Sequence, residues 1–345
     1  MRRLLFVLLL CAVLVVPVRA ELAAPAVPEA GAKLMPAETK DFGQALLEIL
    51  KDLLPILTPH FYKGLAAVGS IGAVCLLTSL VRTDTGPEKK TVDLVGAVTV
   101  AVLLASSTGA MIRLGEETVT NLSEYEKLLL PAMTAALAAQ GGSTSAVALY
   151  TGSAAFNAVL SGLLVKLLIP VQYFFLAAAV SGAALESEVL KGLKETVKGM
   201  LLWCLKTILS LFTAYLGITG VVTGSVDAAA LKAIRAAFGT LVPVVGGVLS
   251  EASEAVLAGA GTIRGAMGIY GILAVLAVFL EPFCRLGIQY LMLKTAGGFA
   301  SMFAPKAVSS VIGDFGEVMR MLLGMTGAMC VMSLITTVCF LRGAS

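Results

Sequence analysis

Charge is what this chain has too little of. Only 14% of its 345 residues are Asp, Glu, Lys or Arg, where an ordinary soluble domain carries about 25%. A soluble protein of this length buries a core but still needs a polar skin. A chain that is 58% hydrophobic, with a mean hydropathy of +0.94, cannot make that skin, and lipid is the solvent it fits. Aromatic residues stand at 6% and the formal net charge at +3. No basic stripe interleaved with stacking residues follows from that, which argues against a nucleic-acid partner. Histidine occurs once, as His60, and one histidine without a partner makes no metal or catalytic site. There is no phosphate-binding glycine loop, no HExxH pair and no nucleophile–base set. An enzyme has nothing to stand on here, and no cofactor or metal is expected. The six cysteines (Cys11, Cys75, Cys204, Cys284, Cys330 and Cys339) form no CxxC pair and sit in or beside apolar runs. They are expected to be free thiols packed as small hydrophobes.

What the chain has instead is apolar length. Arg2 and Arg3 precede an apolar stretch over residues 4–16, and Val18-Arg19-Ala20 gives a small-x-small site. Residues 1–20 therefore read as a secretory signal peptide, with an uncleaved anchor as the alternative. Residues 21–60 follow as an extracytoplasmic leader and amphipathic segment, the first part (21–40) expected to be mobile. Residues 64–345 form a polytopic membrane domain. The runs 64–81, 94–112, 200–223, 267–284, 286–305 and 321–341 are each long enough, at about 1.5 Å per residue, to cross a hydrocarbon layer of roughly 30 Å. Residues 146–169 and 171–185 are separated by Pro170, and the run 128–139 is short enough to be re-entrant or half a hairpin.

Loop charges set the orientation. With the mature N-terminus outside, the loop 82–90 lies inside with Arg82, Lys89 and Lys90, and the loop 113–127 lies outside with Glu116, Glu117, Glu124 and Glu126. Residues 186–198 carry Lys191, Lys194 and Lys198 inside, as an amphipathic surface helix. Arg285 and Arg342 also fall inside. The expected fold is an all-α polytopic transmembrane bundle of about seven spans, nine being the alternative. Residues 225–264, broken by Pro243, Gly246 and Gly247, form an amphipathic or re-entrant element on the outer face.

An internal similarity accompanies this pattern. Gln172-Tyr173 and Gln289-Tyr290 share their apolar surroundings at an offset of 117 residues, which gives a candidate three-helix inverted repeat of the kind transporters use. A chance match of apolar segments is the competing reading, and Pro170 and Pro282 fall out of register. Lys206 and Lys294 lie within apolar runs, where a charge is costly and marks a functional candidate unless it snorkels or pairs. Glu281 and Arg285 stand i, i+4 and can pair on one helix face. Gly69, Gly72, Gly265, Gly268 and Gly271 have the spacing of close helix packing.

The run from Gly239 through Pro243, Gly246, Gly247, Ser250, Glu251 and Glu254 to Gly261, followed by Gly268-Ile269-Tyr270-Gly271 and Gly287-Ile288-Gln289-Tyr290, resembles the stage III sporulation protein AE family. The resemblance covers roughly residues 40–341. It implies a membrane component of the channel, or feeding tube, that links mother cell and forespore in endospore formers and supports late forespore gene expression. It also implies a place in the mother-cell membrane around the forespore. The implied partners are ring-forming and other membrane proteins, and indirectly a cytoplasmic secretion-type ATPase. In that setting Pro243, Gly246, Gly247, Ser250, Glu251 and Glu254 are the expected partner or gating segment. A stand-alone secondary transporter of a small solute is the alternative function.

Overall fold

Apolar runs with few turn residues between them have one economical way to satisfy their backbone, which is to stay helical. The computed structural model describes residues 25–36, 42–81, 87–139, 143–185, 188–218 and 266–342. In chain order the helices are α1 (Glu29–Ala32), α2 (Phe42–Val81), α3 (Pro87–Ala139), α4 (Ser143–Leu163), a π-turn (Leu164–Leu168), α5 (Ile169–Leu185), α6 (Glu188–Ile218), α7 (Ala266–Phe303) and α8 (Lys306–Arg342). The described residues contain no strand. Six helices among them are long and apolar enough to cross a membrane, and the protein is a membrane-embedded, multi-pass helical bundle. The signal segment 1–20 and the element 225–264 lie outside the described residues.

The bundle is layered around one helical hairpin. In the most apolar stretches of α7 and α8, 78% and 72% of residues are buried, against 22% in α2 and 28% in α6. Those stretches of α7 and α8 are thus shielded by protein, while the outer helices turn Leu76, Leu77, Leu80, Val102, Trp203 and Leu211 outward. Such a belt is what a bilayer requires of the surface facing it. α8 packs against α3, α4, α5, α6 and α7, and α7 also receives α1, α2 and α3. Residues 272–280 of α7 are buried without interruption, so that stretch has no face left for lipid.

Several expected boundaries give way to continuous helix. Pro170 does not separate two spans. It removes one backbone donor, but the turn just before it widens, with the Ile169 N–H bonding to the Leu164 carbonyl five residues back. This π-bulge absorbs the proline, and the candidate span runs from Ala146 to Gly182. Residues 267–284 and 286–303 likewise belong to one helix, α7, so Arg285 lies mid-helix and not in an inside loop. The second Gln-Tyr copy sits in the interior of α7, whereas the first opens α5 after the bulge. The run 128–139 is the end of α3, not a re-entrant piece.

The acidic loop expected over 113–127 is helix as well. Ile112, Gly115, Val119, Leu122, Glu126, Leu129, Met133 and Leu137 are all buried, a spacing of three and four that makes a heptad-like seam. Arg113, Glu117, Glu124 and Lys127 occupy the exposed face. At 53 residues, α3 is about 80 Å long, well over twice the hydrocarbon thickness. Its charged half therefore continues beyond its apolar half.

The described part of the leader is packed against the bundle. α1 docks on α7, Leu34 is 1% exposed, and the Gly31 and Ala32 N–H groups both donate to the Pro28 carbonyl. A Cβ at Gly31 would stand 2.7 Å from Val278 Cγ2 and 2.8 Å from the Val278 backbone nitrogen, so glycine is what lets the two backbones meet. Gly268 plays the same part at the far end, against the Leu341 side chain, and Gly271 touches Leu129 and Thr337. Gly69 and Gly72 face open space and close no helix contact.

Candidate functional site

The residues expected to carry function fall into three groups. Pro243, Gly246, Gly247, Ser250, Glu251 and Glu254 lie outside the described residues. Glu281 and Arg285 pair as their spacing predicts, at 3.4 Å, with both side chains about a quarter exposed. His60 on α2 sits within the electrostatic reach of both, and of Lys63. Lys206 and Lys294 are apart, and neither is buried. Both project from the surface of the bundle. The Lys294 ammonium instead stands 5.7 Å from the centre of the Tyr290 ring, close enough for a cation–π contact. The cysteines at 75, 204, 284, 330 and 339 are free thiols, three of them buried. Among the described residues no group of three metal-ligating side chains converges.

The richest polar geometry lies where α6 crosses the first half of α8. The Lys194 ammonium donates to Asp314 Oδ2 at 2.6 Å, with side chains only 12% and 14% exposed, and Lys198 meets Glu317 at 3.2 Å. Glu317 also accepts from Arg320, three residues along its own helix. At Lys194 and Lys198, α6 thus does not present its lysines to water alone. Lys194 and Lys198 turn inward and clamp α6 to α8. The signal was present in sequence, since Lys194 and Lys198 at i, i+4 complement Asp314 and Glu317 at i, i+3. The partners are 120 residues apart, however, and nothing local joins them.

Beside this clamp an open cleft of about 450 Å³ separates the second half of α7 from the first half of α8. Lys294, Lys306 and Arg320 line it together with Glu317, Ser301 and Ser310. Gly297 and Gly316 keep the walls low, facing Ile312 and Leu293. Three cations and one carboxylate, which is already engaged by Lys198 and Arg320, leave the cleft positive. It is suited to an anionic group on a partner.

The clamp is testable by exchange. Lys194→Ala should destabilise the protein by about 1–3 kcal/mol, less than for a fully sealed pair because water reaches its rim. Lys194→Asp alone should cost more, and Asp314→Lys on that background should restore much of the loss. Thermal unfolding in detergent measures all three. Strict additivity of the two charge reversals would mean that the pair does not hold the helices together.

A family model described as stage III sporulation protein AE matches residues 37–343. A curated protein of that name from Bacillus subtilis (strain 168) is 22% identical over 235 residues. That alignment takes in 68% of this chain and 58% of the relative, so the similarity spans under two thirds of the relative's length. No solved structure matches.

Proposed function

Because this chain belongs to the stage III sporulation protein AE family, we propose that it acts in sporulation as a multi-pass component of the channel complex between mother cell and forespore. In this reading it resides in the mother-cell membrane surrounding the forespore and is needed for late forespore gene expression. Its partners are the ring-forming and other membrane proteins of that complex and, indirectly, a secretion-type ATPase. The observation that carries the reading is the family match over residues 37–343. Two features of the bundle fit it. The most apolar stretches of α7 and α8 are buried inside the bundle, as suits a structural centre, and the cleft at Lys294, Lys306 and Arg320 offers a cationic seat for an acidic partner segment.

The test is affinity isolation of the tagged chain from sporulating cells after mild cross-linking. Ring-forming membrane proteins and the secretion-type ATPase are expected with the wild type. Lys294→Met with Lys306→Met is expected to lower their recovery severalfold, while Lys206→Met, outside the cleft, leaves it unchanged. Recovery of the chain alone would overturn the complex and leave a stand-alone permease. Equal recovery from all variants would remove the cleft from the partner surface.

A further inference from the structure

The α3–α8 seam contains a residue that an apolar seam should not. At the heptad position between Leu122 and Leu129 stands Glu126, 1% exposed, and neither of its carboxyl oxygens accepts a hydrogen bond. Buried polar groups in folded proteins nearly always have partners. A bare carboxylate away from water costs more than a fold of this kind has to spare.

Across the seam on α8, the Ser333 and Thr336 hydroxyls face this carboxyl, with Cys330 one turn away on the same helix. Ser333 and Thr336 are 0% and 2% exposed, and their oxygens have no partner either. Helical Ser and Thr usually bond back to a carbonyl three or four residues earlier. Thr326 does so to Leu322 at 2.9 Å and Thr337 to Ser333 at 2.8 Å. Ser333 and Thr336 do not, and their hydroxyls stay turned into the seam. Among the described residues no lysine, arginine or histidine pairs with Glu126. The titratable side chains close to the site are Cys330 on α8 and, beside Glu126 on its own helix, Tyr125, which lies near Tyr270 of α7.

Four buried oxygens on two helices, one pair of them acidic, thus face one another without meeting hydrogen-bond geometry. We propose that Glu126, Ser333 and Thr336 form a binding site for a small monovalent cation, a proton or a sodium ion, which neutralises the carboxyl and ties α3 to α8. One carboxylate is too little charge to hold a calcium ion. The site follows from packing alone and stands whichever complex the chain joins.

The experiment uses the full chain in detergent or lipid discs. Its thermal unfolding is followed against sodium chloride at fixed pH, with choline chloride holding ionic strength, and against pH without sodium. Binding to the folded state alone raises the unfolding temperature by mass action. A sodium site gives a rise with sodium and not with choline. A proton site gives a rise as pH falls, measured as the difference between wild type and Glu126→Gln. Glu126→Gln keeps the shape and removes the charge, and it is expected to lose the cation-dependent rise and to match or exceed wild-type stability without the cation. A wild type indifferent to both cations, or a Glu126→Gln variant with the wild-type response, overturns the site. Should Glu126→Gln not fold, Ser333→Ala with Thr336→Val decides. It is expected to move the midpoint of the response by about tenfold in cation concentration, and an unmoved midpoint overturns the proposal.

Discussion

Ala277→Asp is expected to leave no folded protein. Ala277 sits inside the stretch of α7 that is buried on every side, with no measurable exposure of its own. Its backbone carbonyl carbon stands 3.1 Å from where a Gly31 Cβ would be. Along the helix Ile272, Leu273, Val275, Leu276, Val278, Phe279 and Leu280 are buried and apolar as well. An aspartate there has to desolvate in a stretch buried on every side, at an effective cost of several kcal/mol. Its added volume also meets a packed core that gives way only with strain. Total stabilities of about 5–15 kcal/mol leave little after such a loss. Membrane-fraction immunoblots should show the variant at background, while Thr295→Asp, exposed on the same helix, accumulates normally. Normal levels of Ala277→Asp would mean that water or a partner group reaches this part of α7.

The second large effect concerns Gly152 on α4. A Cβ built there falls onto the edge of the Tyr215 ring of α6. That ring cannot swing aside without loss, because its hydroxyl donates to the Ala148 carbonyl at 2.6 Å. Phe156 also packs 5.7 Å from it and 5.2 Å from Phe212. Replacing a mid-helix glycine by alanine ordinarily stabilises a helix by about 1 kcal/mol. Here the sign is expected to reverse, and Gly152→Val should cost roughly 3–5 kcal/mol from overpacking plus the broken tyrosine bond. Tyr215→Ala alone also destabilises, but the double variant should be more stable than the sum of the two losses predicts, since each removes the other's obstacle. Unfolding curves of the four proteins give the coupling, and simple additivity would dismiss the contact.

The helical, membrane-embedded class was legible because composition alone decides it, and so was the family, from the glycine-rich run near Pro243. The Glu281–Arg285 pair was legible too, since both partners lie one turn apart on one helix. What sequence could not give was which apolar residues face lipid and which face protein. Lipid and a protein core ask for the same side chains, so α7 reads like α2 although one is sheathed and the other is not. The same ambiguity hid Glu126. In a run with Glu116, Glu117 and Glu124 it looks like one more solvated acid, and only the heptad register of α3 turns it inward. Pro170 misled because its usual effect, breaking a helix, is cancelled by a widened turn just before it that no sequence rule announces.

The seat of α1 on α7 fixes an order of assembly. Gly31 meets Val278 across more than two thirds of the chain, so the first described helix completes its contacts only when α7 has been made. Until then Leu34 has no pocket and the Val278 side of α7 has no cover. Loop closure over such a distance is slow next to the pairing of neighbouring helices. The docking of α1 on α7 is therefore a long-range contact, which needs both ends of the described chain in place. A chain that stops before Ala266 can insert its outer helices and still have nowhere to fasten its beginning.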